Sequence, residues 1–383
     1  MLRSPLIDHI QARRPWLDLH RQTRYGFTRR SAGMPRPDPD IAARLIRAFR
    51  RAEQDCPEDF RPDDVWSQFI QRHYGELHAL IRRDDAEGLT DYLLSLPRQG
   101  AGHGYFQGQP AYEALRESPE RQKERALWLL DHALGLAEAL GLLRERCPEQ
   151  GLWREPAITD TATLIAELEQ ALGMPVCLPP LFEGFFALEA ETTPCHLRTL
   201  MASYAIHQLE QFFSGFHARP RQQLRVAEIG AGIGFTAYLA ARRGLARYSI
   251  FDLAEINVAQ GFFLLSTLGA GQVRLYGESH EAAVEVLPPW AYFSTLPQGY
   301  DAVLNVDSFP EIDTAMTRRY LRAMPGGAAY FFSLNQEAPR ADAMGAERLP
   351  VRAMVANETG FQGLLRARNW LRAGYVDEVF RVA

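Results

Sequence analysis

The chain is poor in cysteine. Its 383 residues include four, Cys56, Cys147, Cys177 and Cys195, and no C-x-x-C pair. That spacing excludes a disulfide framework and a four-ligand zinc site. The adjacent Cys195-His196 lacks a second ligand pair, so no metal is expected. Long apolar runs are absent too: none approaches the roughly 20 residues that span a bilayer. The N-terminal MLRSPLIDHIQARRPW has neither the apolar core nor the small-residue cleavage site of a secretory signal. A cytoplasmic protein with reduced thiols and no membrane partner is expected. Nor is there an excess of positive charge. The formal net charge is -5, and no basic stripe is visible, which argues against nucleic acid as a partner. The glycine-rich loop Gly100–Pro110 contains no lysine and does not have the arrangement of a phosphate loop.

What is present is an ordinary globular composition, 46% apolar and 23% charged, over a length that suits two domains. From Asp38 to Cys147 the apolar spacing is helical, as in Ile41, Leu45, Ile46 and Phe49. Ser118 can cap a long helix that has Pro119 in its first turn. Another helix is expected over Thr159–Leu172. A Pro/Gly-rich stretch, Gly173–Phe186, then marks a boundary. We expect an all-helical domain over residues 1–185, covering a substrate or mediating a homodimer, and a second domain over residues 186–383. The second begins with a helix over Cys195–His217, in which Arg198 shares a face with Met201, Ala205, Leu209 and Phe216. After Pro220, short apolar runs alternate with helical ones. Strands are expected at Arg225–Ile229, Arg247–Phe251, Val273–Tyr276, Ala302–Val306 and Ala328–Leu334, with helices between them and closing strands near the C-terminus. Such βαβα alternation predicts an α/β fold with a parallel, Rossmann-like sheet.

The most specific motif is Val226-Ala-Glu-Ile-Gly-Ala-Gly-Ile-Gly234. A buried strand runs into Gly230, Ala231, Gly232 and Gly234, and a helix follows. Glycine permits a sharp turn and close approach of a ligand to the backbone. The dinucleotide fingerprint G-x-G-x-x-G would need a glycine at 235, where Phe235 stands. Glu228 lies two residues before the first glycine, where a carboxylate can accept from loop amides or face the cationic end of a ligand. The next strand ends at Asp252-Leu253, where an acid can accept from both hydroxyls of a ribose. Strand, glycine loop, helix, strand and Asp252 together point to S-adenosylmethionine.

These residues resemble the class I S-adenosylmethionine-dependent methyltransferases. Three segments are similar to the sugar O-methyltransferase family: Tyr300–Ile312 with Tyr320-Leu321, Tyr330–Gln336, and the Arg198…Tyr204 helix. The resemblance covers about residues 185–340. It implies methyl transfer to a hydroxyl of a sugar, a glycosylated product or another small hydroxylated metabolite. An amine, carboxylate or peptide acceptor is the alternative, and a non-catalytic cofactor-binding scaffold is a third. A hydroxyl acceptor calls for a base. Asp307 and Glu311, after the fourth strand, are candidates for it, although Asp307 or Ser308 could instead cap the next helix. His280, after the Val273 strand, is a further candidate if it faces the cleft. Asn305 is expected at the cofactor. Arg198, charged on an apolar face, is expected to meet the cofactor's carboxylate or Glu228.

Overall fold

The computed structural model describes the chain except residues 1–4, 15–16, 18–22, 29–35, 61–64, 103–104, 106–107, 145–159, 178, 191–192, 217–219, 339 and 342–346. The expectations placed on Cys147 and on the middle of the Gly100–Pro110 loop lie outside the described residues. The chain divides into two compact units. The first comprises residues 1–35, 94–207 and 370–372; the second comprises 36–93, 208–369 and 373–383.

Helix α1 (Pro39–Asp55), in the second unit, starts at Asp38, whose side chain accepts from Asp40 N–H. Its buried stripe, Ala42, Leu45, Ile46, Phe49 and Ala52, has the 3.6-residue period of an amphipathic helix. In the first unit, α2 (Pro119–Ala139) is capped by Ser118, which accepts from Arg121 N–H. A three-stranded antiparallel sheet there pairs Tyr25–Phe27 with Phe186–Ala190, and that strand with Thr193–Cys195. Helix α3 (Leu197–Phe216) begins in the first unit and ends in the second.

The rest of the second unit is an eight-stranded sheet with helices. Its strands are β1 (Arg225–Ile229), β2 (Arg247–Phe251), β3 (Val273–Leu275), β4 (Val284–Leu287), β5 (Tyr300–Val306), β6 (Ala328–Gln336), β7 (Phe361–Arg368) and β8 (Tyr375–Val382). Helices α4 (Phe235–Arg242), α5 (Ala254–Leu268) and α6 (Thr314–Ala323) separate them. The spatial order is β7-β8-β6-β5-β1-β2-β4-β3. Strands β3, β4, β2, β1, β5 and β6 run parallel, and β8 is antiparallel to both β6 and β7. From β1 the chain first builds outward through β2, then returns to place β5 on the other side of β1. The order therefore reverses between β1 and β5, and that crevice at the carboxyl ends is where open α/β sheets bind ligands. One face of the sheet closes over a buried aromatic cluster that includes Phe251, Tyr292, Phe309, Tyr320, Phe331 and Phe380.

Residues 36–93, expected with the helical half, pack in the sheet-bearing unit. The reason is visible at Gly261 of α5, where a Cβ would come within 2.5 Å of Leu45 Cδ2. The missing side chain lets α1 lie directly on α5. Val284–Leu287 is a strand that the sequence reading did not separate, and it takes the place beside β2. The Val273 strand is thereby displaced to the sheet edge. Among the described residues no helix is long and apolar enough to cross a membrane.

Candidate active site

The turn after β1 holds three glycines with positive φ: Gly230 at 73°, Gly232 at 60° and Gly234 at 86°. Each lies in the region that glycine enters without a Cβ penalty, but their surroundings differ. A Cβ on Gly230 would fall 2.6 Å from Ser308 Cβ, and one on Gly234 would touch Leu264. On Gly232 it would meet nothing within 4 Å. Gly230 thus lets two loops approach, whereas Gly232 exposes bare backbone. Gly234 N–H donates to Ala231 O, closing the turn from which α4 begins.

The loop after β5 is bound to that turn. Asn305 is fully buried. Its Nδ2 donates to Ile229 O at 2.9 Å and to Ser308 Oγ at 2.5 Å, and its Oδ1 accepts from Phe309 N–H and from Asn335 Nδ2. Ser308 Oγ also donates to Ile229 O. Asn305 therefore braces the glycine turn from within the protein, and its amide is committed to protein partners rather than presented to a cofactor.

Two carboxylates flank the turn. Glu228 is buried in β1 and accepts from Tyr248 OH at 2.8 Å. Burial pushes its carboxyl up to about 8, against the hydrogen bonds of Tyr248 and Thr236 and with the charge of Asp252 adding to the rise. Asp252 ends β2. Its Oδ1 accepts from Leu253 N–H at 2.9 Å and its Oδ2 from the Gln260 amide at 2.8 Å. Burial lifts it to about 7, although Leu253, Gln260 and the Ala231 and Gly232 amides all favour the charged form. Neither carboxylate has an ion pair among the described residues. Two adjacent acids in a protein interior without a cation are costly when ionised.

Beyond Asn305, Asp307 adopts a left-handed conformation, φ 59°. Its Oδ1 accepts from Tyr375 OH at 2.5 Å. Neither Asp307 nor Ser308 caps α6. Asp313 does, accepting from Ala315 and Met316 N–H. Glu311 closes the short 3₁₀ turn Phe309–Glu311, its N–H bonded to Ser308 O. Tyr375, on β8, is brought to Asp307 by the antiparallel insertion of that strand.

His280 is not part of this group. Its Nε2 lies 3.1 Å from Val273 O, at the start of edge strand β3. That is the amino end of the strand farthest from β5, because β4 stands between β3 and β2. Arg198 lies in the first unit, where Arg125 and His196 feel its charge. Among the described residues no group of three or more His, Cys, Asp or Glu side chains could hold a metal ion.

No protein-family model matches the chain, and no curated protein does. Solved structures that resemble it include the mitomycin 7-O-methyltransferase MmcR, at 15% identity over 89% of this chain and 95% of that one, TM-score 0.35. Magnesium protoporphyrin IX methyltransferase from Synechocystis PCC 6803, with bound SAM, matches at 12% identity over 48% and 84%, TM-score 0.30. The N-terminal domain of EvdMO1, in the presence of SAH and D-fucose, matches at 16% over 48% and 82%, TM-score 0.33. Likenesses this distant carry nothing about activity or substrate. The sheet order, the antiparallel β8 between β6 and β7, and the glycine turn at the reversal point are features of this chain itself, and on them it has the class I methyltransferase fold.

Proposed function

We propose that the protein is an S-adenosylmethionine-dependent O-methyltransferase acting on a hydroxyl of a sugar or another small hydroxylated metabolite. The observation that carries the reading is the pair of carboxylates, buried Glu228 and half-buried Asp252, beside an open glycine turn and without an ion pair among the described residues. The dinucleotide fingerprint fails at Phe235, where its third glycine would stand. A sulfonium cofactor that also carries an ammonium group brings the missing positive charge. The residues fit such a ligand: Gly232 leaves its approach open, Asp252 suits the ribose hydroxyls, and Leu253 adjoins that acid.

When bound, the cofactor supplies a methyl group activated on sulfonium sulfur. The remaining tasks fall to the chain: orienting the acceptor, excluding water and taking a proton. A hydroxyl acceptor must give up its proton to a group of the protein as it is methylated. Asp307 is the base we assign, its carboxylate held by Tyr375. Glu311, one turn on, is the second candidate.

Calorimetry with S-adenosylmethionine and S-adenosylhomocysteine, followed by transfer of labelled methyl to a panel of sugars, sugar derivatives, phenols and amines, tests this reading. Saturable binding of both cofactor forms and label on a hydroxyl compound are expected. Absence of binding would overturn the cofactor assignment, and label found only on amines would overturn the acceptor class.

A further inference from the structure

Helix α5 buries a face that is apolar but for one residue. Ile256, Ala259, Phe262, Phe263 and Leu264 are buried there, and so is Gln260, which has no exposed surface. A glutamine in such a place gives up its hydrogen bonds to water, which is costly unless the protein replaces them. A methionine of the same length would fill the volume without that cost. At Gln260 the replacement is partial. Its Nε2 donates to Asp252 Oδ2 at 2.8 Å, and its Oε1 is buried with no hydrogen-bond partner among the described residues.

The helix dictates where that one bond goes. Side chains of an α-helix lean toward its N-terminus, and α5 begins two residues after Asp252. Asn257 and Gln260 are three apart, on one face of the helix, and both reach back to Asp252. Asn257 Nδ2 donates to its carbonyl at 3.1 Å, and Gln260 Nε2 to its carboxylate. Leu253 N–H takes the other carboxylate oxygen, Oδ1, at 2.9 Å. Each oxygen thus has one fixed donor and keeps a lone pair for a further one. The other groups that bear on this carboxylate come from neighbouring elements. Glu228 on β1 is raised in part by the charge of Asp252. Tyr320 on α6 is pushed up by burial and then by that same charge. The amides of Ala231 and Gly232 in the glycine turn favour the charged form. Gln260 is the one side chain among the described residues that donates to the carboxylate.

We propose that Gln260 is a positioning residue for the cofactor: from within the protein it aims the Asp252 carboxylate and keeps it charged, so that the remaining lone pairs accept from the two hydroxyls of a ribose. The inference rests on the reading that Asp252 meets the cofactor's ribose. Gln260 itself, having no exposed surface, touches no ligand and acts only through Asp252.

The test compares the full chain, wild type, with Gln260→Met and Gln260→Glu. Carboxyl-carbon NMR of the ligand-free protein, labelled in aspartate and assigned by the signal that Asp252→Asn removes, reads the ionisation of Asp252. Calorimetry with S-adenosylhomocysteine at pH 7 and pH 9 reads the binding. Loss of the donor in Gln260→Met should move the Asp252 midpoint up by about one pH unit. S-adenosylhomocysteine should then bind about fivefold more weakly than to wild type at pH 7, and within about twofold at pH 9, where the carboxylate is charged in both proteins. Gln260→Glu, which sets a second acid against the first, should move the midpoint further in the same direction, and it carries the comparison if Gln260→Met does not fold. A residue that only fills space would leave the midpoint in place and weaken binding equally at both pH values, and that result overturns the proposal. Absence of S-adenosylhomocysteine binding to wild type overturns the cofactor reading, whereas the NMR midpoint alone decides whether Gln260 governs Asp252. A shifted midpoint with wild-type affinity at both pH values removes Asp252 from the ribose, and with it the role of Gln260 in binding.

Discussion

Tyr375 donates its hydroxyl to Asp307 Oδ1 at 2.5 Å, across the end of a sheet whose last strand runs opposite to its parallel core. Asp307 meanwhile holds φ 59°, a left-handed conformation that aspartate and asparagine enter more readily than other non-glycine residues. Its carboxylate is turned to a hydroxyl from a distant strand rather than to the backbone of the next helix. The capping role that competed for Asp307 is filled by Asp313. Asp307→Asn, which tolerates the same backbone, should lower turnover by roughly a hundredfold or more with cofactor affinity nearly unchanged. Tyr375→Phe should leave a smaller defect, about tenfold, because the carboxylate loses one hydrogen bond. Near-normal turnover in Asp307→Asn would move the search for a base to Glu311.

Gly230 and Gly232 separate two uses of glycine. Gly230→Ala sets a Cβ against Ser308 and also strains the backbone, so it should destabilise the fold by about 2 kcal/mol or more. Gly232→Ala meets no atom. It should cost only about 1 kcal/mol for its φ while weakening S-adenosylhomocysteine binding severely, because the open space is where the ligand approaches. Thermal midpoints and calorimetry on both variants check this. Equal cofactor affinity in wild type and Gly232→Ala would show that the turn binds nothing.

If Asp252 holds the ribose, as proposed, cofactor affinity should depend on pH. Its carboxyl titrates near 7, and only the charged form accepts from both ribose hydroxyls. S-adenosylhomocysteine should therefore bind more tightly as pH rises from about 6 to about 8, and Asp252→Asn should flatten that dependence and weaken binding about tenfold at the upper end. A folded Asp252→Asn variant with wild-type affinity across this range would remove Asp252 from the ribose.

The glycine turn, Asp252 and strands β1 and β2 were legible because each is a contiguous signal: an apolar run ending in residues whose backbone requirements are local. The errors share a cause. Val-Glu-Val-Leu287 is four residues long, with a buried acid, Glu285, that hydrogen bonds to Arg247 and Ser249. Nothing local marks it as the third strand, so His280 was read one strand too far inward. Asn305 looked like a ligand group because a polar residue at a strand end often is one. That its amide is consumed by Ile229, Ser308, Phe309 and Asn335 is a tertiary fact. Tyr375 reaches Asp307 from 68 residues away, through an antiparallel pairing that periodicity does not reveal. The Gly261–Leu45 fit, which draws residues 36–93 to the sheet, is equally invisible along the chain.

Glu228 gives the last test, on stability rather than catalysis. Its folded carboxyl titrates near 8, above its ordinary value of 4.5, so the fold binds this proton more tightly than the unfolded chain does. The stability that the protonated form contributes is fully present below about 4.5 and is lost as pH rises through about 8. At 1.36 kcal/mol for each unit, the loss has an upper figure of roughly 4–5 kcal/mol. Glu228→Gln keeps the shape and a hydrogen-bond acceptor for Tyr248 OH, but cannot ionise. In the absence of ligand its thermal midpoint should be close to that of the wild type at pH 5 and several degrees higher at pH 8.5. The buried histidines of the first unit act with the opposite sign: held neutral in the fold, they lose stability as pH falls below about 6.5, and they do so equally in both proteins. The difference between variant and wild type therefore isolates Glu228. Because cofactor binding would supply positive charge to the same carboxylate, saturating S-adenosylmethionine should raise the wild-type midpoint more than that of Glu228→Gln at pH 8.5. A pH-independent gap between the two proteins would mean that Glu228 is charged in the folded protein throughout, and with it would go the argument that the site awaits a cation.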